Sequence, residues 1–349
     1  MLRVLVALVA LASAAAPAPV NGRQDAAPRL WGGLTPGPYR VGYRKLGQRD
    51  QVVHIWYPAA ATARPLRFRD YLDNKLQDLA SFLAQTGAHG ATIDSLFASV
   101  LYAVAAPRPI DRSFPLVLIA QGNGEDVADQ VVLCEYLASR GFVVAATPSP
   151  MLRVPLERED QVGELAEMQT SDLRAAITAV AAVVRVDSQH VGVVGHSFGA
   201  RAAVLLAMRD PRIRAIVSLD GGIGTSTAVE PFTRAPSFRA NAPLPPLLHF
   251  YETEDAFMKP DFGLLKSLRV ADLTLVHVEA MHHVHFTTYG FEAALFPEIA
   301  APTHATAGTA SALAGVIVRT VDFLHQWLGD ADNHGKSLPP RFAGTAGLP

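Results

Sequence analysis

Ser197 stands at the centre of Gly195-His196-Ser197-Phe198-Gly199, a G-x-S-x-G pattern with an apolar run before it and an alanine-rich run after it. The run 191–194 (Val-Gly-Val-Val) reads as a buried strand, and 200–206 reads as a helix. A serine in the sharp turn between them is raised above the sheet edge, where a base can reach it. A serine hydroxyl is a poor nucleophile by itself. It needs an imidazole to take its proton and a carboxylate to orient that imidazole. Imidazoles cluster downstream in Met281-His282-His283-Val284-His285-Phe286. An H-H-x-H cluster can also hold a metal, but the carboxylate–histidine pattern of a zinc hydrolase does not accompany it here. The reading is therefore no metal and no organic cofactor. Two places offer the acid: Asp220, which ends the apolar run 215–219, and the group Glu252, Glu254 and Asp255 after 247–251. Periodicity leaves the choice among them open.

Attack by serine on an ester creates an oxyanion, which two preorganised N–H groups must hold. The backbone amide of Phe198, at the first turn of the helix after Ser197, is one candidate. The second should come from the loop Gln121-Gly122-Asn123-Gly124, where glycines let the backbone approach a substrate closely.

The elements that must carry these residues alternate in type. Residues 39–46 and 51–57 read as a hairpin. Residues 66–109 form a long non-strand segment in which Leu72, Leu76, Leu79 and Leu83 recur at helical spacing. Leu96, Phe97, Val100, Leu101 and Val104 do so again. From 114 the pattern becomes strand 115–120, helix 127–140, strand 141–146, helix 171–185, then the serine strand and its helix. Strands 213–219, 246–251 and 273–278 and a helix at 310–328 complete it. Such alternation implies a mostly parallel central sheet flanked by helices. This is the α/β-hydrolase fold as one catalytic domain over 30–328, with a helical cap insertion at 66–109 and a flexible tail at 329–349. In that fold the triad runs Ser, acid, His along the chain, so the histidine follows the last strand.

At 349 residues, half of them apolar, the chain can bury a large core. A formal net charge of −2 excludes a polybasic nucleic-acid or membrane-surface binder. Residues 1–20 combine a short basic start, an apolar run and small residues. This predicts a secretory signal peptide and an exported, periplasmic or secreted protein with no membrane span in its mature form. The single cysteine, Cys134, lies in an apolar helix-like run and reads as a small core residue.

The chain resembles the platelet-activating-factor acetylhydrolases of the lipoprotein-associated phospholipase type and bacterial predicted dienelactone hydrolases. The resemblance is carried by 53–59 (VHIWYPA), 114–124 (FPLVLIAQGNG), 137–146 (LASRGFVVAA), 193–199 (VVGHSFG) and 216–220 (IVSLD). It implies Asp220 as the acid, His283 in an H-x-x-F pattern as the base, and the amide of Asn123 as the second oxyanion donor. It also implies a small ester or lipid-like substrate and a role in lipid degradation. The chain departs from the family at Gln121, where histidine is usual, at Asn123, where an apolar residue is usual, and at Gly221, where an aromatic residue is common. These changes bear on the acyl and leaving-group pockets. Other readings are a dienelactone hydrolase-like or polyester (aromatic diester) hydrolase, and a catalytically silent α/β-hydrolase that binds without turnover.

Overall fold

The computed structural model describes residues 27–47, 52–60, 63–300, 303 and 305–329. The expected signal peptide and residues 330–349 of the expected tail lie outside the described residues. The elements begin with β1 (Arg40–Leu46), β2 (Val53–Ala59), β3 (Pro65–Arg67), α1 (Leu76–Gln85), α2 (Gly90–Ala98) and β4 (Val100–Ala105). Then come β5 (Phe114–Ala120), α3 (Val131–Ser139), β6 (Val143–Thr147), α4 (Val162–Ala181), β7 (Val186–His196), α5 (Gly199–Arg209) and β8 (Ile213–Leu219). The C-terminal part holds α6 (Val229–Thr233), β9 (Pro243–Leu244), β10 (Leu247–Tyr251), α7 (Gly263–Ser267) and β11 (Arg269–Val270). It ends with β12 (Leu273–His277), α8 (Tyr289–Leu295), α9 (Pro297–Ala300) and α10 (Ala307–Leu328).

Ten strands form one sheet in the order β12-β10-β8-β7-β5-β6-β2-β1-β4-β3, and β9 pairs with β11 separately. From β12 to β6 every pairing is parallel. The β1–β2 hairpin joins β6 through an antiparallel pair. The parallel strands are apolar on both faces because both are covered: all of β5 and β6 is buried. The two-residue period of a strand divides the core. Val117, Ile119 and Val194 meet Leu133 of α3 and Val316 and Leu324 of α10 on one face. Leu116, Leu118 and Val193 meet Leu173 and Ile177 of α4 and Val204 and Leu205 of α5 on the other. This is the expected α/β-hydrolase architecture. Helix α10 starts at an N-cap, where the Thr306 hydroxyl accepts from the Gly308 amide at 3.1 Å. By length and composition it is apolar enough to cross a membrane, yet its Leu313–Val316–Ile317–Leu324 face is buried against the sheet.

The segment 66–109 differs from its expectation. Helix α2 stops at Ala98, and Val100, Leu101 and Val104 lie on a strand, β4, between β1 and β3. The run Val-Leu-Tyr-Ala-Val is rich in branched and aromatic residues that favour a pleated surface, and it buries alternate positions. Phe97 and Leu101 are 6% and 1% exposed within the core cluster. Since β4 stands five places from β7 in the sheet, α1 and α2 cover the far edge of the sheet.

One buried carboxylate ties that edge together. Glu135 of α3 is fully buried and accepts from Tyr71 Oη at 2.8 Å, Trp31 Nε1 at 3.1 Å, and the Tyr102 and Ala103 amides at 2.8 and 3.0 Å. Burial pushes its pKa up, against the pull of those four donors.

Candidate active site

Strand β7 delivers Ser197 into the turn before α5 with φ at +52°. That left-handed conformation costs a non-glycine residue about 1–2 kcal/mol and persists only where neighbours hold it. Here the Ser197 amide donates to the Leu219 carbonyl at 3.1 Å, and the Ser197 carbonyl accepts from Gly222 at 2.8 Å. The flanking glycines are required by contact. A Cβ on Gly199 would lie 2.0 Å from the Ala120 carbonyl oxygen, and one on Gly195 would lie 2.6 Å from the Ala200 nitrogen.

Asp220 follows β8, also at positive φ (+42°), with its amide held by the Phe250 carbonyl at 2.9 Å. His283 opens a 3₁₀ turn, His283–Phe286, after β12. Its Nδ1 lies 2.6 Å from Asp220 Oδ2 and its Nε2 lies 2.8 Å from Ser197 Oγ. A carboxylate only accepts, so Nδ1 carries the proton and Nε2 is left to accept from the serine hydroxyl. Asp220 and His283 are both buried. The structure thus brings together the three side chains at 197, 220 and 283, each at the carboxyl end of a parallel strand.

The other candidates have separate partners. Asp255 accepts from the backbone amide of His283 at 2.7 Å and bonds His282 Nδ1 at 3.0 Å, away from the His283 imidazole. Burial works against its charge, yet those two partners hold its pKa below the usual carboxylate range. The Glu252 amide donates to Asp220 Oδ1 at 3.3 Å, and burial lifts the Glu252 carboxyl to about 7. His285 contacts Thr303 Oγ1 at 3.0 Å, and burial lowers its pKa to about 4. The three clustered imidazoles therefore point to three different partners instead of converging.

The amides of Phe198 and Asn123 donate to no acceptor among the described residues. Phe198 begins the α5 turn, and Asn123 lies in a turn closed by the Glu125 amide on the Gly122 carbonyl at 3.3 Å. Two neighbours of the site escaped sequence reasoning. His196 is 3% exposed, and its ring stacks on that of His283 with centroids 4.8 Å apart. Glu125 Oε1 lies 2.5 Å from His196 Nδ1. Their position within G-x-S-x-G and just past the glycine loop was the only signal. Phe257, 62% exposed, presents its ring to the His283 ring at 5.3 Å and 83°.

Residues 103–267 match the Dienelactone hydrolase family. Among solved structures, the chain is similar to a ferulic acid esterase from Streptomyces cinnamoneus. The TM-score is 0.66 at 22% identity, over 87% of this chain and 94% of that one. No curated protein matches the chain. The parallel sheet, the strand–serine–helix turn and the span of the family match agree, and the chain has the α/β-hydrolase fold with a dienelactone hydrolase family match across its central strands.

Proposed function

We propose that the protein is a serine-type carboxylic ester hydrolase. The observation that carries this is the continuous path Asp220–His283–Ser197, with links of 2.6 and 2.8 Å. In the reaction, Ser197 Oγ attacks the ester carbonyl while His283 Nε2 takes its proton, and Asp220 stabilises the imidazolium. The oxyanion lies against the Asn123 and Phe198 amides. Collapse expels the alcohol, which takes the proton from His283. Water, activated by the same imidazole, then releases the acid and restores Ser197.

Phe257 and Val284 are exposed beside His283 and favour an apolar acyl or aromatic group at the mouth. This agrees with the lipid-like ester implied by the acetylhydrolase resemblance. The neighbour's title, ferulic acid esterase, names an aromatic ester, and the family match adds lactones to the substrates worth testing. The test is labelling with a fluorophosphonate, followed by a p-nitrophenyl ester chain-length series set beside a lactone and an aromatic diester. Labelling of the wild type and its loss in Ser197→Ala are expected. An unlabelled, inactive wild type refutes the reading, and preference for the lactone or diester redirects the substrate class.

A further inference from the structure

We propose that Glu125 and His196 act as positioning residues, a buried clamp that holds the oxyanion loop in register with the His283 turn. The proposal rests on the serine-hydrolase reading above. Glu125 uses both carboxylate oxygens. Oε2 accepts from the Gly122 amide at 2.6 Å and Oε1 meets His196 Nδ1 at 2.5 Å. The far side of His196 reaches the other loop, with Nε2 3.2 Å from the His283 carbonyl oxygen. The backbone of Glu125 is fixed in turn, its carbonyl accepting from the Ser149 amide at 3.0 Å. The turn 122–125 that presents the Asn123 amide is thereby connected, through one carboxylate and one imidazole, to the residue that exchanges the proton.

The same contacts set the charge of the ring. Both His196 nitrogens face oxygens that only accept, a carboxylate and a carbonyl, so both must donate. His196 is then an imidazolium paired with a Glu125 carboxylate. Burial disfavours the charged ring, but Glu125 and the His283 carbonyl outweigh it and hold the His196 pKa above its ordinary value. Burial likewise opposes the Glu125 charge, and His196 outweighs it to bring that pKa down. The other titratable groups that face the pair are Asp129 from the 127–130 turn, Asp220 after β8, and His283 itself. A buried ion pair is a costly way to gain stability, whereas it constrains geometry strongly, which suits a positioning role.

The test compares Glu125→Ala, Glu125→Gln and His196→Phe with the wild type, reading kcat, KM, fluorophosphonate labelling rate and folded content by circular dichroism. Glu125→Ala and His196→Phe should lower kcat and the labelling rate together by roughly 10- to 100-fold, somewhat less than loss of an oxyanion donor. KM should stay within about threefold. Glu125→Gln should be rescued to within about fivefold. Its amide oxygen accepts from Gly122 and its NH₂ donates to a neutral His196, whose Nε2–H still reaches the His283 carbonyl. Wild-type kcat in folded Glu125→Ala or His196→Phe overturns the clamp, as does a Gln variant as impaired as the Ala variant. If Glu125→Ala fails to fold, His196→Phe, which keeps the ring stack, decides alone. A wild type that is neither labelled nor active refutes the serine-hydrolase reading itself. A labelled wild type with unaffected variants refutes only the clamp.

Discussion

Asp220→Asn puts the most pressure on the proposed mechanism, because the structure dictates which way the new amide turns. One oxygen of Asp220 accepts from the Glu252 amide at 3.3 Å and the other faces His283 Nδ1 at 2.6 Å. In asparagine the carbonyl oxygen is needed at Glu252, a preference of about 1 kcal/mol. That orientation sets the NH₂ against His283. Nδ1 must then accept, its proton moves to Nε2, and Nε2 donates to Ser197 instead of receiving its proton. The equivalent change in a known serine hydrolase lowers kcat about 10⁴-fold through the same tautomer error, which corresponds to about 5.4 kcal/mol in the barrier. The substitution removes one charge and no volume, so the fold should survive. The assay is p-nitrophenyl acetate hydrolysis at pH 7–8 with kcat and KM resolved separately, and circular dichroism to confirm folding. Retention of more than a tenth of wild-type kcat, or a loss confined to KM, would refute the assignment of Asp220.

Ser197→Ala and His283→Ala should each lower kcat by roughly three to six orders of magnitude, and the double variant should be no worse, since residues acting as one unit are not additive. His285→Ala, Glu254→Gln and Asp255→Asn should cost far less, and the same esterase assay checks the whole set. Phe257→Ala should leave acetyl-ester turnover near wild type while raising KM for octanoyl esters, by up to about 0.8 kcal/mol per methylene that loses its apolar contact. An unchanged acetyl-to-octanoyl ratio would remove the ring from the substrate path. Glu135→Gln replaces an acceptor of four donors with a group that must turn its NH₂ towards two of them. It should cost about 2–4 kcal/mol, read as a fall in Tm of roughly 3–6 °C for a domain of this size, with kcat of the folded protein unchanged.

Local pattern was enough to read the buried end of β7 (191–196), the Ser197 turn and α5, because four small apolar residues and two glycines define that unit without help from elsewhere. The partly exposed start of β7 at 186–190 and the first nine residues of α4 gave no such signal. The β1–β2 hairpin and the parallel strands also follow from runs bounded by turn residues. Residues 100–104 misled because branched residues spaced three and four apart satisfy a helical template as well as a strand. The antiparallel neighbour β3 and parallel neighbour β1 decide the matter, and neither is visible locally. Periodicity leaves the acid open for a related reason: Asp220 and Glu252 both follow strands, and, beyond the family resemblance, it is the approach of His283 across 63 positions that distinguishes them. Glu125 and His196 lie 71 positions apart. No periodicity links them, so their pairing had no trace in composition or spacing.

The four donors on Glu135 have a consequence for modularity. They come from Trp31, Tyr71, Tyr102 and Ala103, as far as 104 positions away along the chain. Three belong to the segment between β2 and β5, which in outline looks like a detachable accessory. A shortened chain lacking that segment would leave the Glu135 carboxylate with one of its four donors and would strip away the apolar side chains that pack with α3. Helix α3 would lose that support, and the loop leading into it carries Asn123. The far edge of the sheet and the reactive edge are therefore a single cooperative unit. Trimming or grafting experiments on this scaffold should treat residues 66–105 and α3 as one indivisible block, exchanged together or left alone.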